Sequence, residues 1–199
     1  MLKTPQEFKR ENVKKLFQKV LRDTKTKLAP LSISISESFE NDFTSVDLQF
    51  SEKSSEGEEV VSLPGLKAKG FVDGLFLGLH KRYSEDYHSL DKIKLVDLMV
   101  NPIMKASANR GSDAKTSVVF RVEVNGHGVS EFEHESRSMI YSSFVSALDA
   151  FQFYINCERA FYKIRLAVDD AKSRNRGDIL QSCLTDLSVL TEVNTYDKK

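Results

Sequence analysis

The stretch from Ser138 to Lys172 constrains the fold most. Met139, Ile140, Phe144, Leu148, Phe151, Ile155 and Tyr162 fall near one face of a helix. Val145, Phe153, Tyr154 and Phe161 carry apolar character round the rest of the cylinder. A helix that is apolar on several sides has to be covered on most of them. The remaining chain must therefore supply layers that pack around it.

Those layers are legible as changes of period. Thr4-Pro5-Gln6-Glu7 reads as a helix start: Thr4 caps, Pro5 suits the first helical position and Glu7 completes a capping box. Val13, Leu16, Phe17, Val20, Leu21 and Leu28 then continue an apolar stripe, and Pro30 marks its expected end. Leu31 to Ser36 alternates apolar with polar, and so does Val46 to Phe50, which is the pattern of strands with one buried face. Ser51 to Glu59 reads as a polar loop. Val60 to Leu63 reads as a short third strand stopping at Pro64-Gly65, and a helix follows from Gly70 to Tyr83. The order then repeats: a strand over Ile93–Val100, a loop over Asn101–Lys115, a strand over Val118–Val124, a turn at Asn125-Gly126-His127-Gly128, and a returning strand over Val129–Glu133. Asp178 is placed to cap a last helix, and the tail after Glu192 reads as frayed.

The expected class is α+β. Two βββα units form sheets packed against helices, with extra N-terminal and C-terminal helices. The boundaries are 1–30 for the N-terminal amphipathic helix, 31–172 for the duplicated unit and 173–199 for the C-terminal extension and tail. The duplication rests on element order. Neither half can bury much alone, so the halves are expected to pack on each other or on a second chain.

Composition excludes more than it assigns. The 29 basic and 29 acidic residues cancel, so there is no global attraction for nucleic acid. Cys157 and Cys183 give neither a disulfide framework nor metal spacing. No apolar run is long enough to cross a bilayer as a helix, and the N-terminus opens polar; the expectation is a cytoplasmic protein that does not bind membranes. Residues 1–28 hold nine Lys or Arg against three acids, a net of +6. A basic amphipathic helix of this kind can bind an anionic partner, or it can be a solvated face whose apolar stripe packs on the body.

Catalytic signals are missing. There is no Gly-x-Ser-x-Gly, no phosphate-binding glycine loop and no zinc-protease helix. His127 to Glu135 groups two imidazoles with three carboxylates, which a charged hairpin rim explains as well as a metal site. The four glycines from Gly65 to Gly78 lack dinucleotide spacing and read as turns and close helix packing. The expectation is a non-catalytic protein without a cofactor.

Four segments carry a resemblance. Gly70-Phe71-Val72-Asp73-Gly74-Leu75-Phe76 resembles the Gly-Pro-Val-Asp-Ala-Leu-Phe helix start in the C-terminal regulatory domain of 2-isopropylmalate synthase and citramalate synthase. Leu95-Val96-Asp97-Leu98-Met99-Val100 is similar to that family's Leu-x-Asp-Tyr-x-Val strand. Gly111-Ser112-Asp113-Ala114 is similar to its Gly-x-Asp-Ala element, and Ser138 to Ser143 to its Ser-x-Asp-Ile-x-x-Ala-Ser helix start. The four occur in order over 31–156.

The resemblance implies two βββα units that form a homodimer, with a branched-chain amino acid, the feedback inhibitor, bound at the interface. It implies Val72 and Asp73 at a ligand-facing helix start and Leu95, Leu98 and Pro102 on a lining strand. It places Ala114 after the family's Asp, and Ser138 and Ile140 near the opposite wall. Val72, Leu95 and Leu98 also read as plain core, and Asp73 as charge compensation at a helix N-terminus. Phe71, Gly74 and Leu98 stand where the family has Pro, Ala and Tyr, and the catalytic barrel is absent ahead of residue 31. An alternative is an interaction protein with a degenerate pocket that associates with a full-length synthase or another partner.

Overall fold

The computed structural model describes residues 4–103, 114–124 and 126–196. The expected α+β class holds, with two three-stranded antiparallel sheets and four α-helices among the described residues. Helix α1 spans Pro5–Val20 and strands β1, β2 and β3 span Lys27–Ser38, Phe43–Ser54 and Gly57–Ala68. Helix α2 is Phe71–Tyr83; β4, β5 and β6 are Ile93–Ile103, Lys115–Val124 and Gly128–Ser136; α3 is Met139–Ser173 and α4 is Gly177–Thr191. Each sheet is a meander, β1-β2-β3 and β4-β5-β6.

The two sheets share one core. Alternation on β2 sends Val46, Leu48 and Phe50 inward, and all three are fully buried. Phe50 meets Phe144 of α3 edge-on at 6.4 Å between ring centroids. Phe76 of α2 lies 5.6 Å from Phe120 of β5 and 5.5 Å from Phe151 of α3. Helix α2 covers β2 and β3, while α3 covers β5 and β6 and reaches β1. Helix α1 packs on α3, α4 and β6. The central helix is thus covered on several sides, as its composition requires.

Polar groups of α3 hold the start of β1. The Thr26 N–H donates to Asn156 Oδ1 at 2.9 Å, and Asn156 Nδ2 donates to the Thr26 carbonyl at 2.8 Å. The Leu28 N–H donates to Gln152 Oε1 at 2.7 Å. These side chains stand where a neighbouring strand would otherwise supply bonds, so the buried backbone is satisfied.

Several boundaries differ from expectation. The capping box at Thr4 and Glu7 forms, but α1 stops at Val20, well before Pro30. Arg22 takes a positive φ of 52° and turns the chain, so Leu28 belongs to β1 and only mimics helical spacing. Pro30 sits inside β1 next to a register shift, which an edge strand tolerates. The expected 51–59 loop is largely strand, because β2 and β3 form a tight hairpin in which Ser54 faces Gly57. Strand β3 passes through Pro64-Gly65. Gly65, at φ 66°, donates its N–H to Asp47 Oδ1 at 2.7 Å and makes a bulge rather than an end.

Strand β4 continues to Ile103 and β5 begins at Lys115, so both ends of the expected 101–115 loop are strand; residues 104–113, including Gly111-Ser112-Asp113, lie outside the described residues, as does Asn125 of the turn. Arg176, without a side-chain bond, is the N-cap of α4, and Asp178 contributes charge in the first turn instead. The tail does not fray at Glu192. Val193 and Asn194 are buried, and Tyr196 stacks on Phe161 at 4.3 Å.

Helix α2 approaches its sheet through glycine. An alanine at Gly74 would place its Cβ 2.7 Å from Cγ2 of fully buried Val46. Valine is stiff at χ1 and cannot swing aside. We expect Gly74→Ala to lose stability despite better helix propensity: overpacking costs about 1–3 kcal/mol, and about 1 kcal/mol returns from propensity. Gly177→Ala in α4, with open space around it, is expected to be neutral or stabilising by up to about 1 kcal/mol. Urea unfolding of both variants checks the contrast.

Candidate functional site

The second sheet positions most of the residues that the sequence singled out. A register shift between Leu95 and Asp97 puts a bulge in β4. Beyond it, Leu98 pairs with Phe120, Val100 with Val118 and Pro102 with Thr116. Phe120 and Val118 are fully buried against the helices. Alternation therefore aims Leu98, Val100 and Pro102 at that same inner face. Helix α3 covers β5 and β6 but not the edge strand β4, so Leu98 stays 36% exposed and Val100 40%.

The start of α3 lies at the same end of this sheet. Thr116 pairs with Pro102 on one side and with Ser136 on the other, and α3 begins just after Ser136. Ala114 immediately precedes Lys115, the first residue of β5, which pairs with Ile103. Met139 and Ile140 in the first turn of α3 are 41% and 37% exposed. Pro102, Ala114, Ser138 and Ile140 thus lie toward one end of the second sheet, and Leu98 lies on the same inner face as Pro102 but in the middle of β4. Ser138 is the N-cap: its Oγ accepts the Tyr141 N–H at 3.2 Å. Its hydroxyl is engaged in holding the helix, with Ser136 Oγ bonded to Ser142 Oγ beside it.

Val72, Asp73 and Leu95 are placed differently. Val72 and Leu95 are partly buried against the core, in keeping with the plainer reading of both. Asp73 is exposed in the first turn of α2, where its charge complements the helix dipole. Gly70 caps α2 without a side-chain bond. Alternation along β4 shows which residues share a face; it carries no signal that the helix layer stops short of them. Val100 and Met139 were therefore missed as members of the exposed set.

Three grooves among the described residues are lined by other side chains. One of about 570 Å³ lies at the β2–β3 hairpin around Arg82, which pairs with Glu52 at 3.5 Å, Glu59 at 3.4 Å and Asp86 at 3.6 Å. Beside it, Tyr83 Oη donates to Glu52 at 2.7 Å, and burial keeps that hydroxyl protonated. A second, of about 490 Å³, runs between the first turn of α1 and β4–β6, where Arg121 pairs with Glu131 at 2.7 Å and Asp97 at 3.5 Å. A third, of about 290 Å³, lies between α1, α3, β1 and β6. Burial pushes the Arg10 guanidinium and the Lys14 ammonium in its walls below their usual pKa, and raises that of the Asp149 carboxyl there.

The histidines do not assemble a metal centre. His127 and His134 sit toward opposite ends of β6; His127 Nε2 meets Thr195 Oγ1 at 2.8 Å, and the His134 ring packs on Tyr141. No cluster of three metal-ligating side chains occurs among the described residues. No helix among them is long and apolar enough to cross a membrane. Cys157 is buried and its thiol is held protonated, which makes it a packing residue rather than a nucleophile.

No protein-family model matches this chain, and no curated protein matches it at a level that marks relatedness.

His80 gives a pH test of the core around α2. Its ring packs edge-on to Phe151 at 5.0 Å, and Nδ1 lies 3.4 Å from Ser84 Oγ. Burial lowers its pKa from the ordinary 6.5, with Asp91 opposing. The folded state thus prefers neutral His80, while the unfolded chain takes up a proton first as pH falls below 6.5. Stability present above that pH is lost on acidification. His80→Phe is expected to flatten the decline in urea midpoint between pH 7 and 5 (~2 pH units around the ordinary pKa); a slope equal to that of the wild type would contradict the assignment.

Proposed function

We propose that this chain is a non-catalytic, regulatory-type dimerisation domain of the kind found in 2-isopropylmalate and citramalate synthases. One observation carries the reading. The inner face of β4, with Leu98 and Val100, is left open although the rest of that sheet face is buried, and Met139 and Ile140 at the start of α3 are exposed as well. Large apolar side chains left exposed are unfavourable in water and favour burial by another surface.

On this reading a second copy covers the face, and an isologous contact closes the pair. A branched-chain amino acid then sits where the two copies meet. Leu98 and Ile140 offer apolar contact for its side chain. The uncapped start of α2 suits its carboxylate, and Asp73 its ammonium group. On this reading the site is incomplete until a partner arrives, and the grooves described above are lined by neither Leu98 nor Ile140.

Light scattering coupled to gel filtration tests the assembly. The wild type is expected at twice the 22.6 kDa chain mass. Leu98→Asp and Ile140→Asp are expected to run as monomers with unchanged circular dichroism, since both positions are exposed in the protomer. A monomeric wild type, or a dimer indifferent to both substitutions, overturns the interface. Calorimetry with leucine, isoleucine and valine tests the ligand: saturable heat is expected for the dimer alone, and no heat at millimolar ligand removes the amino-acid part of the proposal.

A further inference from the structure

The basic N-terminal helix is not used by the function proposed above, yet its charge is organised. Arg10 and Lys14 of α1 face Lys25 and Lys27, from the turn into β1, across the groove of about 290 Å³. Two carboxylates, Glu133 and Asp149, share the lining. Four cations against two anions leave this groove at +2, in a chain whose total charge is zero.

The floor is aromatic. Phe17 lies 5.6 Å from Phe153, and Phe153 lies 5.9 Å from Phe132. The Arg10 guanidinium sits over the Phe132 ring, 4.9 Å from its centroid. Gln152 spends its Oε1 on the Leu28 N–H, which leaves its amide Nε2 as a donor in the lining. Arg10 and Lys14 are held together partly out of water, and the carboxylates of Glu7, Asp149 and Glu131 offset part of that cost at Arg10. Both have lowered pKa values from burial, and Arg10 further lowers that of Lys14, with Asp149 and Glu11 opposing.

We infer that this groove is a binding site for a small phosphate monoester with a flat apolar body. A phosphate monoester carries about −1.5 to −2 at neutral pH and accepts several charge-assisted hydrogen bonds. That matches the excess of cations in the walls, while the phenylalanine floor takes the apolar body. The volume lies at the small end of ligand sites, which run from about 300 to 1,000 Å³, so a dinucleotide does not fit. The site is built from α1, β1, β6 and α3, apart from the open β4 face, and does not depend on the dimer reading.

Phenyl phosphate is the probe, with phenol as its uncharged counterpart, and the full chain is titrated. The expected result is saturable one-to-one binding of phenyl phosphate, a raised melting temperature and no effect of phenol. Lys14→Gln and Lys25→Gln should each weaken binding about tenfold or more, the loss of one charge-assisted bond. Lys15→Gln, exposed on α1 and outside the groove, should change it less than about twofold. Amide shifts on the wild type give a readout independent of any variant and should centre on Thr26, Leu28 and Gln152. No binding, equal losses in Lys15→Gln and Lys14→Gln, or shifts centred on another surface would overturn the site.

Discussion

A helix side chain completes a strand in this protein, and the rest of the architecture depends on it. Asn156 receives the Thr26 N–H and donates to the Thr26 carbonyl, in a region closed to water. It also donates to the Gln152 carbonyl one turn earlier in α3. Removing the amide would leave two backbone groups of Thr26 buried and unpaired, each at a cost of about 1–3 kcal/mol. The pair therefore fixes where β1 begins relative to α3. Arg159, on the same helix, adds a bond to Thr26 Oγ1 and another to Ser55 Oγ at 3.3 Å, tying down the β2–β3 hairpin as well.

Once α3 is fixed against the first sheet, its position over the second follows. Small residues let it lie close to that sheet: Ser142, Ser146, Ala147 and Ala150 are all fully buried, and Ser146 Oγ donates to the Val118 carbonyl at 3.3 Å. The helix then runs over β5 and β6 and is not free to shift toward β4. The edge strand keeps its apolar inner face open as a direct geometric result. The same clip shapes the basic groove, since Thr26, Gln152 and Asn156 belong to its lining. One polar contact thus sets up two separate surfaces, one apolar and one cationic.

Much of this was readable in the sequence where one local force dominated. The limits of α3, the capping box of α1 and the alternation on β2 depend on neighbours a few residues away. The errors fell where a distant contact decided. Leu28 kept helical spacing but became a strand residue because Asn156 and Gln152 captured the backbone beside it. Pro64-Gly65 looks like a stop signal, and Asp47 across the sheet turned it into a bulge. Tyr196 looked like tail until Phe161, far back in the chain, supplied its stacking partner. Of the candidate site, the sequence shows the faces: Leu98 lies on a strand and Ile140 in the first turn of a helix, as their local patterns indicate. That the helix layer ends before reaching β4 is a property of three packed elements, and no local pattern encodes it.

On the proposed reading, the open β4 face is covered by a second copy of the chain. Hydroxyl-radical footprinting over a range of protein concentrations tests it most directly, with exposed Met139 at the start of α3 as a native reporter of the proposed interface. The account predicts that Met139 oxidises readily in dilute solution and becomes protected as concentration rises, while exposed Phe39 and Leu166, away from that interface, react equally throughout. Met139 reactivity that stays constant across that range would contradict it.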